Sequence, residues 1–503
     1  MQRRTFFRST AVAAAALSFP DRHSFAELYR AADQQPQDLA AVTGDGKQIT
    51  LSSKAIADLR ARLRGRVLLS ADPGYDDARR ILNPSFDKRP ALIAQVTGAA
   101  DVRAAVDFAR ENQGLLTAVK CGGHSFSGQS TCDRGLMVDL SGMRNVRVDP
   151  VARRAVVTGG SLLGHVDHEA MAYGLVTPLG TVSHTGVGGL VTGGGFGRLA
   201  RRFGLAIDNL VAVDVVTADG QLRHASKDVN PDLFWGVRGG GGNFGIVTSF
   251  EFRLHPMQRQ VIAGSIRYPI ARAQEVLSLY ADYAPTAPDE LQLDVALLKP
   301  PGDAPGMASF GVCYSGPASR AEAVLAPLRK LGTPLADDVG AKDYVAVQKS
   351  GDISDPRAMA MYLKSGFVPQ IPAALLKAMV DGFRGDPTRY TQIVFVQSAG
   401  AISRVGTETT AFSQRSAQAN MLGIVGWPNG SESAQHVAYI KQYWAALEPF
   451  THGFYTNDLD MTSLKASDVT DNFGRNYDRL VATKTKYDPR NLFRLNANVK
   501  PTV

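Results

Sequence analysis

Three glycine-dense segments constrain this chain more than any other feature. They read Cys121-Gly-Gly-His124, Gly186-Val-Gly-Gly-Leu-Val-Thr-Gly-Gly-Gly-Phe-Gly197 and Arg238-Gly-Gly-Gly-Gly-Asn-Phe-Gly245. Glycine lets main chain approach main chain or a bulky anion, and successive backbone N–H groups form anion-binding concavities. The first segment follows an apolar strand, Leu115–Val119, and the third runs into another, Ile246–Leu254. Gly240–Gly245 satisfies G-x-G-x-x-G, but an alternating strand follows it where a Rossmann fingerprint needs a helix, so that fold is excluded. No Gly-Lys-Ser/Thr occurs, which excludes a Walker A loop.

From Pro90 the pattern alternates strand, helix and strand. Leu92–Val96 precedes a helix over Asp101–Asn112 with Val102, Ala105, Val106 and Ala109 on one face, and Leu115–Val119 then delivers the Gly-Gly-His turn. Short strands are predicted at Leu136–Leu140, Val146–Val148 and Ala155–Thr158, followed by a helix over Ser161–Tyr173. A hairpin, Leu210–Thr217 with Gln221–His224, turns at Asp219-Gly220. Composition shifts near Pro256. From there to about Pro449, helices alternate with strands such as Leu291–Leu298 and Gln392–Gln397, without a glycine-rich loop, as in a separate α+β lobe. A chain of 503 residues is long enough for more than one core.

The net charge of +8 is dispersed, with no arginine-rich run, which argues against a nucleic-acid partner. Gln2-Arg3-Arg4-Thr5-Phe6-Phe7-Arg8 and the apolar run Thr10–Pro20 predict a twin-arginine signal over residues 1–32. That run is too short for a stable membrane anchor, so a periplasmic or secreted location is expected. Cys121, Cys132 and Cys313 have neither a disulfide framework nor metal-ligand spacing; Cys121 and Cys132 could pair in an oxidising compartment, unpaired thiols are the expectation, and no metal site is expected.

The loop Ala118-Val-Lys-Cys-Gly-Gly-His-Ser-Phe-Ser-Gly128, followed in order by the other two glycine segments, resembles the FAD domain of the berberine-bridge-enzyme-like FAD-linked oxidases (the vanillyl-alcohol-oxidase, or PCMH-type, fold). Gly453-Phe-Tyr-Thr-Asn457 resembles that family's Y-x-N strand. Phe473–Leu480 and Lys486–Arg494 resemble its closing helix and tail. The resemblance implies an α+β protein. A two-subdomain FAD-binding domain would span 88–256 after a 45–87 lead-in, and a substrate domain with a mainly antiparallel sheet would span 257–449. Residues 450–503 would return to the FAD domain. It implies an oxidase or dehydrogenase that takes a hydride from a small-molecule alcohol, sugar or amine-bearing carbon. Reoxidation would be by O2 or another acceptor. It further implies a bond from His124 to the flavin 8α-methyl. The cofactor contacts carried over are Lys120, Cys121, Gly122, Gly123 and Ser125; Thr185, Gly186, Gly188, Gly189, Gly193 and Gly194; then Asn243, Gly245, Ile246, Val247 and Asn476.

The chain departs from the family in four places. Val182 stands where many members have a second attachment cysteine, so a single bond through His124 is expected. Leu190 replaces a histidine near flavin N1, and Thr185 holds the position associated with oxygen access. Asn472-Phe473 stands where tyrosines often precede the glycine of the closing helix. A proton acceptor must then come from elsewhere, and Tyr455, Tyr362 and Lys364 are the candidates. The same departure supports a second reading, a flavin-binding protein with little or no turnover.

Overall fold

A computed structural model describes residues 37–355, 357–460 and 463–502; the expected signal lies outside the described residues. Leu136–Asp139 is flanked by Leu92–Gln95 and Thr117–Lys120, both parallel to it, and Arg66–Leu68 adds an antiparallel edge. The helix Ala99–Glu111 crosses over between the two outer parallel strands, Leu92–Gln95 and Thr117–Lys120. Its predicted face, Val102, Ala105, Val106 and Ala109, is completely buried against Leu92, Leu136 and Val138.

The second subdomain is a five-stranded antiparallel sheet in the order Leu222–Ser226, Leu210–Val216, Ile246–Arg253, Arg154–Thr158 and Val146–Asp149. The predicted hairpin closes with Val216 opposite Leu222. The two sheets meet where Gly160 crosses Leu140. A Cβ there would lie 1.7 Å from the Leu140 carbonyl oxygen, so only glycine permits this approach.

From Gln260 the chain forms an eight-stranded antiparallel sheet, counted among the described residues. Its central strands are Leu291–Lys299, Tyr390–Gln397 and Ala419–Pro428, with Met359–Val368 at one edge. Helices Ala273–Tyr283, Ala373–Gly382 and Ala434–Leu447 cover one face, burying Tyr280, Phe395 and Trp444. Side chains alternate across a strand. Val368 therefore enters this core, whereas Phe367 turns to the other face and joins Phe196, Phe412 and Tyr455 in the core of the FAD domain.

The C-terminal segment does return to the FAD domain. Leu480, Tyr487 and Val499 pack in the core of the second subdomain, and Leu492 and Phe493 in that of the first. A fully buried ion pair, Lys484 Nζ to Asp488 at 2.6 Å, ties them together. Lys484 also donates to the carbonyls of Asn243 and Phe493, and Asp488 accepts the N–H groups of Leu492 and Phe493. Two local expectations are corrected. Val187–Gly193 is a helical turn within the second glycine segment, and the Y-x-N segment is the 3-10 turn Thr456–Asp458 rather than a strand. Among the described residues no helix is long and apolar enough to cross a membrane.

Candidate active site

The strand Thr117–Lys120 ends at Cys121, and the chain turns through Gly123 at φ +67°. Gly122 meets Gly186 backbone to backbone. A Cβ on Gly122 would stand 2.4 Å from the Gly186 nitrogen, and one on Gly186 would stand 2.3 Å from the Gly122 nitrogen. These two glycine segments thus form adjoining walls of a cavity of about 420 Å³. Gly241, Gly242, Gly245, Ile246 and Val247 from the third segment, Phe493, Leu495, Asn496 and Ala497 from the tail and the Tyr455–Asp458 turn complete the lining. A Cβ on Gly189 or Gly241 would meet nothing within 4 Å, so bare backbone faces open space there.

Four polar atoms of lining residues are buried without a protein partner: His124 Nε2, Gln129 Nε2, Ser130 Oγ and Asn496 Oδ1. Buried polar atoms are nearly always satisfied, so this grouping marks a ligand site. Burial, and secondarily the neighbouring His184 imidazole at 5.0 Å between ring centroids, pushes His124 down to about 4. The ring is therefore neutral near pH 7, with a lone pair available at one nitrogen. Among the described residues no lysine or arginine lines the cavity. An anionic ligand there would be held by backbone N–H groups. The residues fit an FAD: three glycine walls for an extended dinucleotide, unpartnered polar atoms for its heteroatoms, and one neutral imidazole.

Cys121, Gly122, Gly123, His124, Ser125, Thr185, Gly186, Gly188, Gly189, Gly245, Ile246 and Val247 are all in the lining. Five other residues predicted to touch the cofactor are not. Lys120 turns its ammonium away, to the carbonyl of Ala78 and to Asp139 at 3.7 Å. Gly193 and Gly194 pack against Asn457, Phe412 and Tyr455. Asn243 donates to the carbonyls of Gly240 and Ala497 and accepts the Val499 N–H, pinning the tail to the third segment. Asn476 donates to the carbonyls of Thr407, Thr410 and Ala411. None of the five is in the cavity lining.

Of the proton-acceptor candidates, the structure brings only Tyr455 into the lining. Its hydroxyl oxygen accepts from the Gly195 N–H at 2.9 Å and from Asn457 Nδ2 at 2.8 Å, and burial raises its pKa far above the usual phenol range. Tyr362 donates to Asp460 at 2.5 Å and Lys364 pairs with Asp460 at 2.8 Å, both outside the lining. Asn472 caps the Phe454 N–H at 2.8 Å, and Phe473 is core. Val182, Thr185 and Leu190 do line the cavity. Sequence reasoning missed Gln129, Ser130, Asn496 and Asp458. Only Asp458 carried a signal: it follows the Y-x-N triplet directly.

The family described as "FAD binding domain" matches residues 90–226, and the one described as "Berberine and berberine like" matches 456–500. An FAD-linked oxidoreductase of Dictyostelium discoideum is 32% identical over 82% of this chain and 89% of its own. (R)-6-hydroxynicotine oxidase of Paenarthrobacter nicotinovorans is 30% identical over 90% of this chain and 99% of its own. Among solved structures, 6-hydroxy-D-nicotine oxidase from Arthrobacter nicotinovorans superimposes with a TM-score of 0.79, at 29% identity, covering 88% of this chain and 98% of that one. Xylooligosaccharide oxidase from Myceliophthora thermophila gives 0.78 at 25% identity, covering 89% and 100%.

Proposed function

This chain belongs to the berberine-like FAD-linked oxidoreductases, and we propose that it oxidises a small molecule at a C–H bond, with FAD held covalently through His124 alone. The observation that carries the reading is the neutral His124 imidazole, whose Nε2 is enclosed in the cavity lining without a protein partner. Bound FAD supplies a two-electron acceptor for a hydride. The chain's own residues bind, orient and enclose. Gly189 and Gly241 offer unobstructed backbone to an extended anion. Val182 in the lining has no group able to form a second bond, which supports a single attachment. Leu190 and Thr185 leave that wall without a charge.

The nicotine and xylooligosaccharide oxidases to which the chain is similar support a substrate with an oxidisable alcohol, sugar or amine-bearing carbon. Their names as oxidases support O2 as the final acceptor, with another acceptor as the alternative. Arg3-Arg4 and the apolar run behind it support export by the twin-arginine pathway to the periplasm or beyond. That route carries folded proteins, which suits a chain loaded with a bonded cofactor. Asn472 and Phe473, both committed to packing, support the second reading of a flavin carrier with little turnover.

The test is flavin fluorescence on the denatured polypeptide in a gel, beside a His124→Ala variant, followed by an anaerobic screen for compounds that bleach the flavin. Fluorescence in wild type and none in the variant supports the histidyl bond. Flavin that leaves wild type on denaturation overturns it. Bleaching by dithionite but by no alcohol, sugar or amine favours the carrier.

A further inference from the structure

Among the described residues, four ionisable side chains line the cavity: Cys121, His124, Tyr455 and Asp458. Three are committed. Burial pushes the Cys121 thiol up to about 11, and its Sγ lies 3.6 Å from the Ser161 carbonyl. His124 is the attachment residue of the function proposed above. The Tyr455 oxygen already accepts two N–H bonds. Asp458 is the one left.

Its surroundings suit a group that gains and loses a proton. The Asp458 N–H closes a turn on the Tyr455 carbonyl at 2.8 Å, which fixes the backbone. Strand Met359–Val368 presents Ser365, whose hydroxyl bonds the Asp458 carbonyl at 3.4 Å. The neighbouring cation on that strand, Lys364, is held by Asp460 and not by Asp458. Strand Ala419–Pro428 presents Asn420, whose Nδ2 lies 3.5 Å from Asp458 Oδ2 while its own Oδ1 is buried without a partner. An amide facing a carboxyl can donate to the ionised form or, turned over, accept from the protonated one. Tyr455 beside it, and Cys121 and the neutral His124 elsewhere in the lining, are the other titratable groups of the chamber among the described residues. Without a cation partner, burial pushes Asp458 up to about 7, where both forms are populated.

We propose that Asp458 is the proton acceptor of the oxidation, taking the hydroxyl proton of an alcohol or hemiacetal substrate. This rests on the FAD-dependent reaction proposed above. The substrate O–H bond breaks to a carboxylate oxygen of Asp458. The C–H bond breaks with its electron pair going to FAD, and a C=O bond forms. The carbon is oxidised by two electrons, FAD is reduced by two, and the carboxyl proton passes to solvent in the following half-reaction. A hydroxyl needs such an acceptor, whereas a neutral amine can lose a hydride without one. The favoured substrate class is therefore a hydroxyl-bearing carbon.

The experiment uses flavin-loaded wild type, Asp458→Asn, Asp458→Glu and, as a control for a second buried carboxyl with a raised pKa, Asp167→Asn. Infrared difference spectra between acidic and alkaline buffer would follow protonated carboxyls. Stopped-flow flavin reduction by a panel of primary and secondary alcohols and reducing sugars would follow the reaction. The expected result is two carboxyl components titrating near neutral pH, one lost in D458N and the other lost in D167N. Reduction should rise through the same pH range, slow by about 100-fold or more in D458N, and recover in part in D458E. A band unchanged in D458N overturns the proposal, whether or not a panel member bleaches the flavin. So does wild-type reduction by D458N, or bleaching by amines alone. A wild type carrying no flavin refutes the proposed function instead, so the two failures are distinguishable.

Discussion

Attachment of FAD to His124 should proceed almost as fast in mildly acidic buffer as at neutrality. Only the neutral imidazole has a lone pair to offer a carbon. Burial, with His184 as the second cause, holds His124 at about 4. At about pH 5 an ordinary histidine, near 6.5, is only about 3% neutral, whereas one at 4 is about 90% neutral, roughly a 30-fold difference. The perturbation is to load flavin-free protein with FAD across about pH 5 to 7, in wild type and in His184→Ala, and to follow covalent fluorescence against time. The wild-type rate should stay flat over that range. Removing the His184 ring should move any fall toward higher pH, because one of the two causes of the shift is gone. A wild-type rate that halves near 6.5 would refute the reasoning, since the imidazole would then be titrating as if solvated. The same shift has a stability consequence. The unfolded chain binds a proton near 6.5 that the folded chain refuses until about 4, so His124 removes stability as pH falls through that window.

Three further outcomes are expected. Gly186→Ala puts a Cβ 2.3 Å from the Gly122 nitrogen, a clash with backbone, and should strip the protein of most of its flavin; full retention by absorbance would contradict the two-wall description. Asp167 is buried under the helix Tyr344–Lys349, with Gln348 as its bonded partner, and burial raises it to about 7. The folded chain then keeps a proton that the unfolded chain loses near 3.8. Relative to Asp167→Asn, wild type should therefore lose roughly 4 kcal/mol between about pH 4 and 7. A urea-midpoint difference between the two that is constant with pH would show the carboxyl to be solvated. Lys484→Met leaves Asp488 buried and uncompensated, at a cost of about 3–5 kcal/mol, and adding Asp488→Asn should restore part of it. Equal thermal midpoints for Lys484→Met and wild type would refute that.

The elements legible in the sequence are those set by local periodicity. The Val102, Ala105, Val106 and Ala109 face needed only a 3.6-residue repeat, and all four are buried. The helical turn Val187–Gly193 within the second glycine segment is not legible locally, because glycine is a poor helix former. Val187 and Val191, one helical turn apart, are fully buried, and their packing overrides propensity. Lys120 was assigned to the cofactor by position. Its ammonium instead goes to Ala78 and Asp139, residues from other elements. Asn243 and Asn476 bond carbonyls far along the chain, which no local pattern reports.

The sequence by itself determined where the backbone must be free of a Cβ and marked His124 as the imidazole next to those positions. The need for glycine at Gly122, Gly123 and Gly186 is a property of the backbone at those positions, so it is written in residue type. Only the tertiary structure decided the chemistry of the ionisable groups. Asp458 and Asp460 are two residues apart in one short segment. The first faces Asn420 and is pushed up to about 7, while the second holds Lys364. A carboxyl's proton affinity depends on what desolvates it and which charges face it, and both are supplied by strands that reach the site only when the substrate domain folds against the FAD domain.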